Sequence, residues 1–205
     1  MFSLIKNIVI KSSVSWILVL ILMVCNVEYS FALNQLSDKE IYDLKNEIFA
    51  LYETNNKDAA MELIKQIPNS KKDNELYIIE ANILEDISQD AGAIESLNKS
   101  ILKNSENYKA YYNIGCILLK KKSYELAIKN FKKSLDYKKD FPFAHYNLAC
   151  AYIGLEEYKK AKNHLIRAIN LKNDEQDFHY NLAYCYKKLG DEKTAQKILD
   201  ELSKN

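Results

Sequence analysis

Apolar and polar positions alternate along most of the chain with the period of an amphipathic α-helix. Large apolar side chains recur four residues apart, which places them on one face of a helix. Such pairs are Ile114 with Leu118, Leu148 with Tyr152, and Leu182 with Tyr186. The sequence holds only four glycines and two prolines, so it offers few of the residues that turn-rich β folds need. The pattern therefore predicts an all-α chain of short helices.

The helical pattern repeats every 34 residues. The segment YYNIG that begins at Tyr111 returns as HYNLA at His145 and again at His179. Four alanines have the same spacing: Ala93, Ala127, Ala161 and Ala195. Each is followed, four residues later, by a large apolar side chain. Antiparallel helices approach closely only where small side chains lie between them. Each 34-residue segment therefore predicts one helical hairpin.

These motifs resemble the tetratricopeptide repeat, whose pattern W-x2-L-G-x2-Y followed by A-x3-F is matched in residue type at most positions. His145 and His179 stand where the family has its leading Trp, and Pro142 lies just beyond the place of the closing Pro. The resemblance is clearest over residues 108–205. It implies an α-solenoid of about five hairpins wound into a right-handed superhelix.

The predicted boundaries follow the repeats. Residues 33–73 are expected to hold an N-terminal cap and a degenerate first repeat. Four further repeats are predicted at residues 74–107, 108–141, 142–175 and 176–205. A capping box from Ser37 to Glu40 predicts the first helix start. Turns are expected at residues 120–123, 154–157 and 190–191.

Residues 1–32 have the pattern of an export signal. Lys6 and Lys11 precede an apolar run from Trp16 to Cys25, and ten helical residues reach only about 15 Å, half of a bilayer core. Small residues at Ser30 and Ala32 suit signal cleavage. The alternative is an uncleaved membrane anchor over residues 8–25, with lipidation at Cys25 a minor option. Both main alternatives predict an exported protein of the periplasm or cell envelope.

The family resemblance implies a groove lined by the first helices. It should receive two residue types at the 34-residue step: Asn113, Asn147, Asn181, and Tyr112, Tyr146, Tyr180. Further candidates are Asn82, Tyr184, Cys116, Cys150, Phe49 and Phe143. An amide side chain offers one acceptor and two donors, which matches a peptide unit. The asparagines are thus predicted to form a ladder along a bound peptide; alternatively, they only make the groove surface polar.

Catalytic, metal and cofactor sites are not predicted. His145 and His179 are expected to pack inside their hairpins and His164 to lie at the surface. Cys116, Cys150 and Cys185 are interpreted as small buried residues, or alternatively as containing a redox-sensing pair. No nucleophile elbow or phosphate loop can be placed. We therefore expect no enzymatic activity.

The charge balance disfavours nucleic acid as a partner. The formal net charge is +1, and Arg167 is the only arginine, the residue on which base and phosphate recognition depends most. The lysine run at residues 120–122 is expected to be a solvated face, or alternatively a patch for anionic lipid or cell-wall polymer.

The sequence leaves two hypotheses about the function of this protein. The first is a peptide-binding or protein-binding adaptor that uses the groove. The second is a structural subunit of an envelope assembly that makes contacts through the C-terminal end of the array, with a homo-oligomer as one option. The second hypothesis rests on the last hairpin, whose second helix has no polar capping helix after it in the sequence. Membrane contact is expected only through an uncleaved leader.

Overall fold

The computed structural model describes residues 36–203, and the predicted leader lies outside them. Within this range the chain forms ten helices and no strand. The helices are α1 (Asp38–Glu53), α2 (Lys57–Gln66), α3 (Asn74–Asp86), α4 (Asp90–Lys103), α5 (Tyr108–Lys120), α6 (Tyr124–Tyr137), α7 (Pro142–Gly154), α8 (Tyr158–Leu171), α9 (Gln176–Lys188) and α10 (Glu192–Leu202). The prediction of an all-α chain of helical hairpins is confirmed.

The chain divides into two compact units at Lys72 and Asp73. In the first unit, α1 and α2 form one hairpin whose buried residues include Ile48, Ala60 and Ile64. Ser37 caps α1 reciprocally: its hydroxyl accepts from the Glu40 amide, and the Glu40 carboxylate accepts from the Ser37 amide. This is the capping box that the sequence predicts.

The second unit stacks four hairpins, each made of a first helix (α3, α5, α7 or α9) and a second helix (α4, α6, α8 or α10). Small residues permit the close approach inside each hairpin. A Cβ atom added to Gly115 would lie 2.6 Å from Cε1 of Phe131, a distance that real side chains do not tolerate. Ala127, Ala149 and Ala161 are fully buried at the corresponding contacts. The small residues thus set the distance between paired helices.

The turn inside each hairpin uses the left-handed backbone region once. Positive φ angles near 60° occur at Ser88, Lys122 and Glu156, and Gly190 has φ 85°. These four positions are 34 residues apart, so one turn geometry is repeated along the unit. Only Gly190 adopts this geometry without the steric cost of a Cβ atom.

In two hairpins, a buried serine near the end of the second helix bonds to the start of the first helix. The Ser100 hydroxyl donates to the Asn74 carbonyl at 2.8 Å, and the Ser134 hydroxyl donates to the Tyr108 carbonyl at 2.9 Å. Both serines are buried on second helices, and both carbonyls lie at the start of the paired first helix. Each buried hydroxyl is therefore satisfied without water.

Candidate functional site

The three repeated asparagines link successive first helices. Asn147 on α7 donates from Nδ2 to Tyr112 Oη on α5 at 3.0 Å, and Asn181 on α9 donates in the same way to Tyr146 Oη on α7 at 3.0 Å. Asn113 on α5 donates to Asn82 Oδ1 on α3 at 2.9 Å. We call Asn113, Asn147 and Asn181 the asparagine row. Its amide donors connect each hairpin to the one before it.

A cysteine lies beside two of these links. Asn147 Nδ2 is 3.4 Å from Cys116 Sγ, and Asn181 Nδ2 is 3.6 Å from Cys150 Sγ. Asn82 stands at the corresponding position of the preceding hairpin, where it supplies an amide oxygen as the acceptor. The arrangement of one asparagine, one tyrosine and one cysteine is therefore repeated between hairpins.

The thiols of these cysteines are poor nucleophiles. Burial raises the pKa of the Cys116 and Cys150 thiols to about 11, and burial also raises the pKa of Cys185 to about 11. All three are free cysteines. Because thiolate is the reactive form, this environment supports their interpretation as small packed residues and disfavours the redox-sensing alternative.

Two of the predicted groove tyrosines are packed between hairpins. The Tyr112 ring lies 4.8 Å from the Phe141 ring, and the Tyr146 ring stacks at 4.6 Å on Phe178, centroid to centroid. Burial raises the pKa of both phenols. These rings therefore contribute to the interfaces between hairpins as well as accepting from the asparagine row.

The other two predicted tyrosines are exposed on α9. Tyr180 retains 49% and Tyr184 41% of its accessible surface. Tyr184 also belongs to a cluster that the sequence analysis missed: its ring meets Tyr158 edge-on at 6.1 Å, and the Lys188 ammonium lies 5.6 Å from its centre. The recurrence of tyrosine at positions 124 and 158 was the available signal.

The phenylalanine candidates differ in setting. Phe143 is half-buried, 5.9 Å edge-on from Phe178, with the Lys172 ammonium 4.8 Å above its ring. Phe49 is half-buried on α1 and belongs to the first compact unit. The structure therefore brings together the candidates on α3, α5, α7 and α9.

The expectation that His164 lies at the surface is wrong. Its ring is half-buried and stacks between two others, with ring centres 5.4 Å from His145 and 5.8 Å from Tyr152. Burial first, then the neighbouring His145 and Lys132, lower the pKa of His164 to about 4. The reason for the burial is helical phase: position 164 lies next to Leu165 and one turn from Ala161 and Ala168, which form the buried stripe of α8.

His145 packs inside its hairpin, as the repeat pattern predicts. Its Nδ1 lies 3.1 Å from His164 Nδ1, and its Nε2 lies 3.0 Å from the Lys139 carbonyl. The described residues contain no group of three or more His, Cys, Asp or Glu side chains arranged to hold a metal ion. From residue 36 to residue 203, no helix has both the length and the hydropathy to cross a bilayer.

Two family models match the second compact unit. The model described as a tetratricopeptide repeat matches residues 108–141, and the model described as YpiA-like, C-terminal tetratricopeptide repeats matches residues 142–203. No curated protein sequence matches the chain.

Solved structures of MamA have the same fold. The structure of MamA, residues 41 to the end, from Desulfovibrio magneticus RS-1 aligns with this chain with a TM-score of 0.73 and 22% sequence identity. The alignment covers 82% of this chain and 95% of that chain. A MamA RS-1 ArsTM double mutant gives 0.74 at 22% identity, with 82% and 94% covered. MamA MSR-1 gives 0.68 at 19% identity, with 82% and 98% covered. With the family models, the helical hairpins and the 34-residue spacing in agreement, the chain is a tetratricopeptide repeat protein.

Proposed function

We propose that this protein is an exported, non-catalytic scaffold that binds a peptide or protein segment along the face formed by α3, α5, α7 and α9. The observation that carries the proposal is the asparagine row. Its three amides are held in equivalent positions by side chains of the preceding first helix. A binding surface whose polar groups are already fixed loses less entropy when a ligand arrives.

The amide oxygens of the row are the groups available to a ligand. In each asparagine, Nδ2 is engaged by the preceding hairpin, whereas no described residue donates to Oδ1 of Asn147 or Asn181. An amide oxygen accepts hydrogen bonds, and a peptide N–H donates them. The row would therefore bind the N–H groups of a peptide backbone. The peptide carbonyls would have no partner in the row, because the amide donors of Asn147 and Asn181 are already engaged.

The spacing of the helices favours a polyproline II conformation for the bound segment. Successive first helices are in contact, and packed helices lie roughly 8–10 Å apart. A polyproline II chain repeats every three residues, or about 9.3 Å, whereas a β-strand repeats every two residues, or about 6.7 Å. The three-residue repeat is the closer match, so every third peptide N–H would meet one asparagine.

The exposed aromatic residues on α9 extend this face. Tyr180 and Tyr184 lie one helical turn apart, and both are solvent-accessible. Tyrosine supplies a large, rigid contact surface at low cost in side-chain entropy. A bound segment would accordingly lie over the row and end against these two rings.

Binding is tested by comparing two multiple variants with the parent in a pull-down from an envelope extract of the source organism. The first carries Asn113→Ala, Asn147→Ala and Asn181→Ala. The second carries Tyr112→Phe and Tyr146→Phe, which removes the hydroxyl acceptors of Asn147 and Asn181 and leaves all three asparagines in place. Loss of a partner from the asparagine variant alone supports the proposal.

Two results count against it. Equal capture by all three proteins would place binding elsewhere, and equal loss from both variants would show that the row acts only in holding the hairpins together. Circular dichroism establishes that each variant is folded before its capture is compared.

Export rests on the predicted leader and is tested separately. We expect the mature protein to begin at Leu33, which mass spectrometry of the purified native protein measures. An intact N-terminus in the membrane fraction would favour the anchor alternative, and an intact N-terminus in the cytosol would exclude both.

A further inference from the structure

A cavity opens between the N-terminal end of α9 and the C-terminal end of α10. Its volume is about 330 Å³, and its walls include Asp174, His179, Ile198, Glu201 and Leu202. It is distinct from the face that carries the asparagine row. The preceding hairpin, whose residues correspond at a spacing of 34, shows which side chains meet at the equivalent place there.

In the preceding hairpin an arginine and a histidine from α8 occupy the corresponding positions. Arg167 donates from Nη2 to Asp140 Oδ1 at 2.7 Å. Asp140 and Arg167 correspond to Asp174 and Glu201, and His145 and His164 correspond to His179 and Ile198. The last hairpin therefore keeps the residues on the first-helix side of the contact and replaces both residues on the second-helix side.

The first replacement deprives a histidine of its donor. A carbonyl oxygen only accepts, so the 3.0 Å contact of His145 Nε2 with the Lys139 carbonyl places the proton on Nε2. In the neutral ring Nδ1 is then an acceptor, and His164 donates to it at 3.1 Å. His179 Nε2 makes the same 3.0 Å contact with the Asn173 carbonyl. Its Nδ1 is likewise an acceptor, but Ile198 has nothing to donate.

The second replacement reverses a charge. Glu201 is equivalent in the repeat to Arg167 and Lys133, which lie 34 and 68 residues earlier. The two preceding hairpins therefore have a cation where the last has a carboxylate. Asp174 thus shares its cavity with a second carboxylate instead of a cation. Lys197, one turn before Glu201, has its ammonium 3.9 Å from that carboxylate, and Lys172 pairs with Glu175. Among the described residues that line the cavity itself, none is a cation.

We propose that this cavity binds an arginine side chain of a partner protein. A guanidinium group has five donors in a planar fork and pairs with carboxylates in a bidentate manner. Inserted here, it would donate to Asp174 and to His179 Nδ1, the two acceptors whose counterparts Asp140 and His145 have side-chain donors in the preceding hairpin. It would also pair with the carboxylate of Glu201. The aliphatic part of the side chain would pack on Ile198 and Leu202.

The proposal does not depend on the asparagine row. It adds a second contact at the C-terminal end of the array, and it specifies the chemistry of that contact as cationic and planar. Because Asp174 and Glu201 are solvent-exposed, a single arginine should bind weakly and act as one part of a larger interface.

The test uses a blocked tripeptide, acetyl-Gly-Arg-Gly-amide, and the same peptide with citrulline, the uncharged isostere of arginine. Both are titrated to millimolar concentration into the ¹⁵N-labelled full-length protein, with backbone amide shifts as the readout. We expect the arginine peptide to shift saturably the amides at the start of α9 and the end of α10. The citrulline peptide should bind at least tenfold more weakly.

Glu201→Arg is the decisive variant, because it restores the arginine that the preceding hairpin has at this position. It should pair with Asp174, fill the cavity and abolish the peptide response. Glu192→Arg makes the same charge change at the other end of α10 and should leave the response intact. If Glu201→Arg fails to fold, Glu201→Gln should still weaken the arginine peptide severalfold.

Three outcomes would overturn the proposal. They are shifts of equal size with both peptides, no shift with either peptide, and an undiminished response in a folded Glu201→Arg variant. Calcium chloride is titrated as a separate arm. Shifts at these amides with the divalent ion but not with the arginine peptide would assign the cavity to a metal ion instead.

Discussion

Asn147 on α7 donates its side-chain amide to the hydroxyl of Tyr112 on α5, and the same geometry recurs one hairpin later between Asn181 and Tyr146. The repeated asparagine thus has a structural role, in joining neighbouring hairpins, that the 34-residue spacing alone does not reveal. Any variant of the asparagine row changes two things at once: the surface offered to a ligand and the bond between neighbouring hairpins.

Replacing Tyr112 by Phe should weaken the contact between α5 and α7 without removing the ring. The Asn147 amide would lose its oxygen acceptor and keep only the weak Cys116 sulfur acceptor. We expect a loss of about 0.5–1.5 kcal/mol in the free energy of unfolding, measured by urea denaturation. Tyr180→Phe is the matched control, because Tyr180 is exposed on α9, and it should change stability by less than about 0.5 kcal/mol. Equal effects of the two substitutions would contradict the structural role of the Asn147–Tyr112 bond.

Replacing Gly115 by Ala should destabilise the α5–α6 hairpin. The new methyl group would lie 2.6 Å from the Phe131 ring, and relieving that overlap should cost about 1–3 kcal/mol. Gly92→Ala provides the comparison, since its methyl group would meet Leu84 at an ordinary 3.4 Å. There the better helix propensity of Ala should stabilise α4 by up to about 1 kcal/mol. Thermal unfolding of the two variants should therefore shift in opposite directions, and a shift in the same direction would refute the steric argument.

Replacing Glu156 by Gly should stabilise the turn between α7 and α8. Glu156 has φ 60°, and a left-handed conformation costs a residue with a Cβ atom about 1 kcal/mol. Part of this gain is lost to the greater freedom of Gly in the unfolded chain, so we expect an increase of a few tenths to about 1 kcal/mol. Gly190→Ala makes the opposite change at the equivalent turn, where φ is 85° and no atom lies within 4 Å of the added carbon. Calorimetry should show it to be destabilised.

Acidification should destabilise the α7–α8 hairpin through His164. The folded-state pKa of about 4 lies below the ordinary value of 6.5, so the unfolded chain binds the proton more readily. The stability that the neutral ring contributes is complete above about pH 6.5 and is lost as the pH falls toward 4. With allowance for solvent screening of a half-buried ring, this loss should be about 1–2 kcal/mol.

The measurement is urea denaturation at several pH values between 7 and 4, for the parent and for His164→Gln. The glutamine amide can still donate to His145 but does not titrate, so the variant should show a flatter dependence on pH. Parallel curves for the two proteins would assign the acid sensitivity to other groups.

The sequence predicts the fold well because the determinants of a hairpin are local. A 34-residue period in small and apolar positions reports which residues face the paired helix, and Gly115, Ala127 and Ala161 are found at those contacts. The turns at residues 120–123 and 154–157 fall between helices for the same reason.

The candidate site is less predictable because it depends on contacts between hairpins. The bond from Asn147 to Tyr112 requires the distance between α5 and α7, which no local pattern contains. The polar neighbours Lys162 and Asn163 favour a surface position for His164, although its helical phase relative to Leu165 indicates burial. The sequence shows that Glu201 stands where the preceding repeat has Arg167. It does not show that Arg167 pairs with Asp140, so the loss of that ion pair in the last hairpin is seen only in the structure.

The bonds along the asparagine row have a direction. Asn147 and Asn181 each donate to a tyrosine of the hairpin before, whereas Asn113 donates to Asn82. Residues 142–175 therefore carry both halves of the asparagine–tyrosine bond: Asn147 toward α5, and Tyr146 with Cys150 toward α9. Duplicating this segment in tandem would create a junction that repeats the asparagine, tyrosine and cysteine contacts already present between α7 and α9. Ala144 of the added copy would stand in place of Phe178, on which Tyr146 stacks. The array could therefore be lengthened in steps of 34 residues with these hydrogen bonds kept, and Ala144→Phe in the added copy would restore the ring contact.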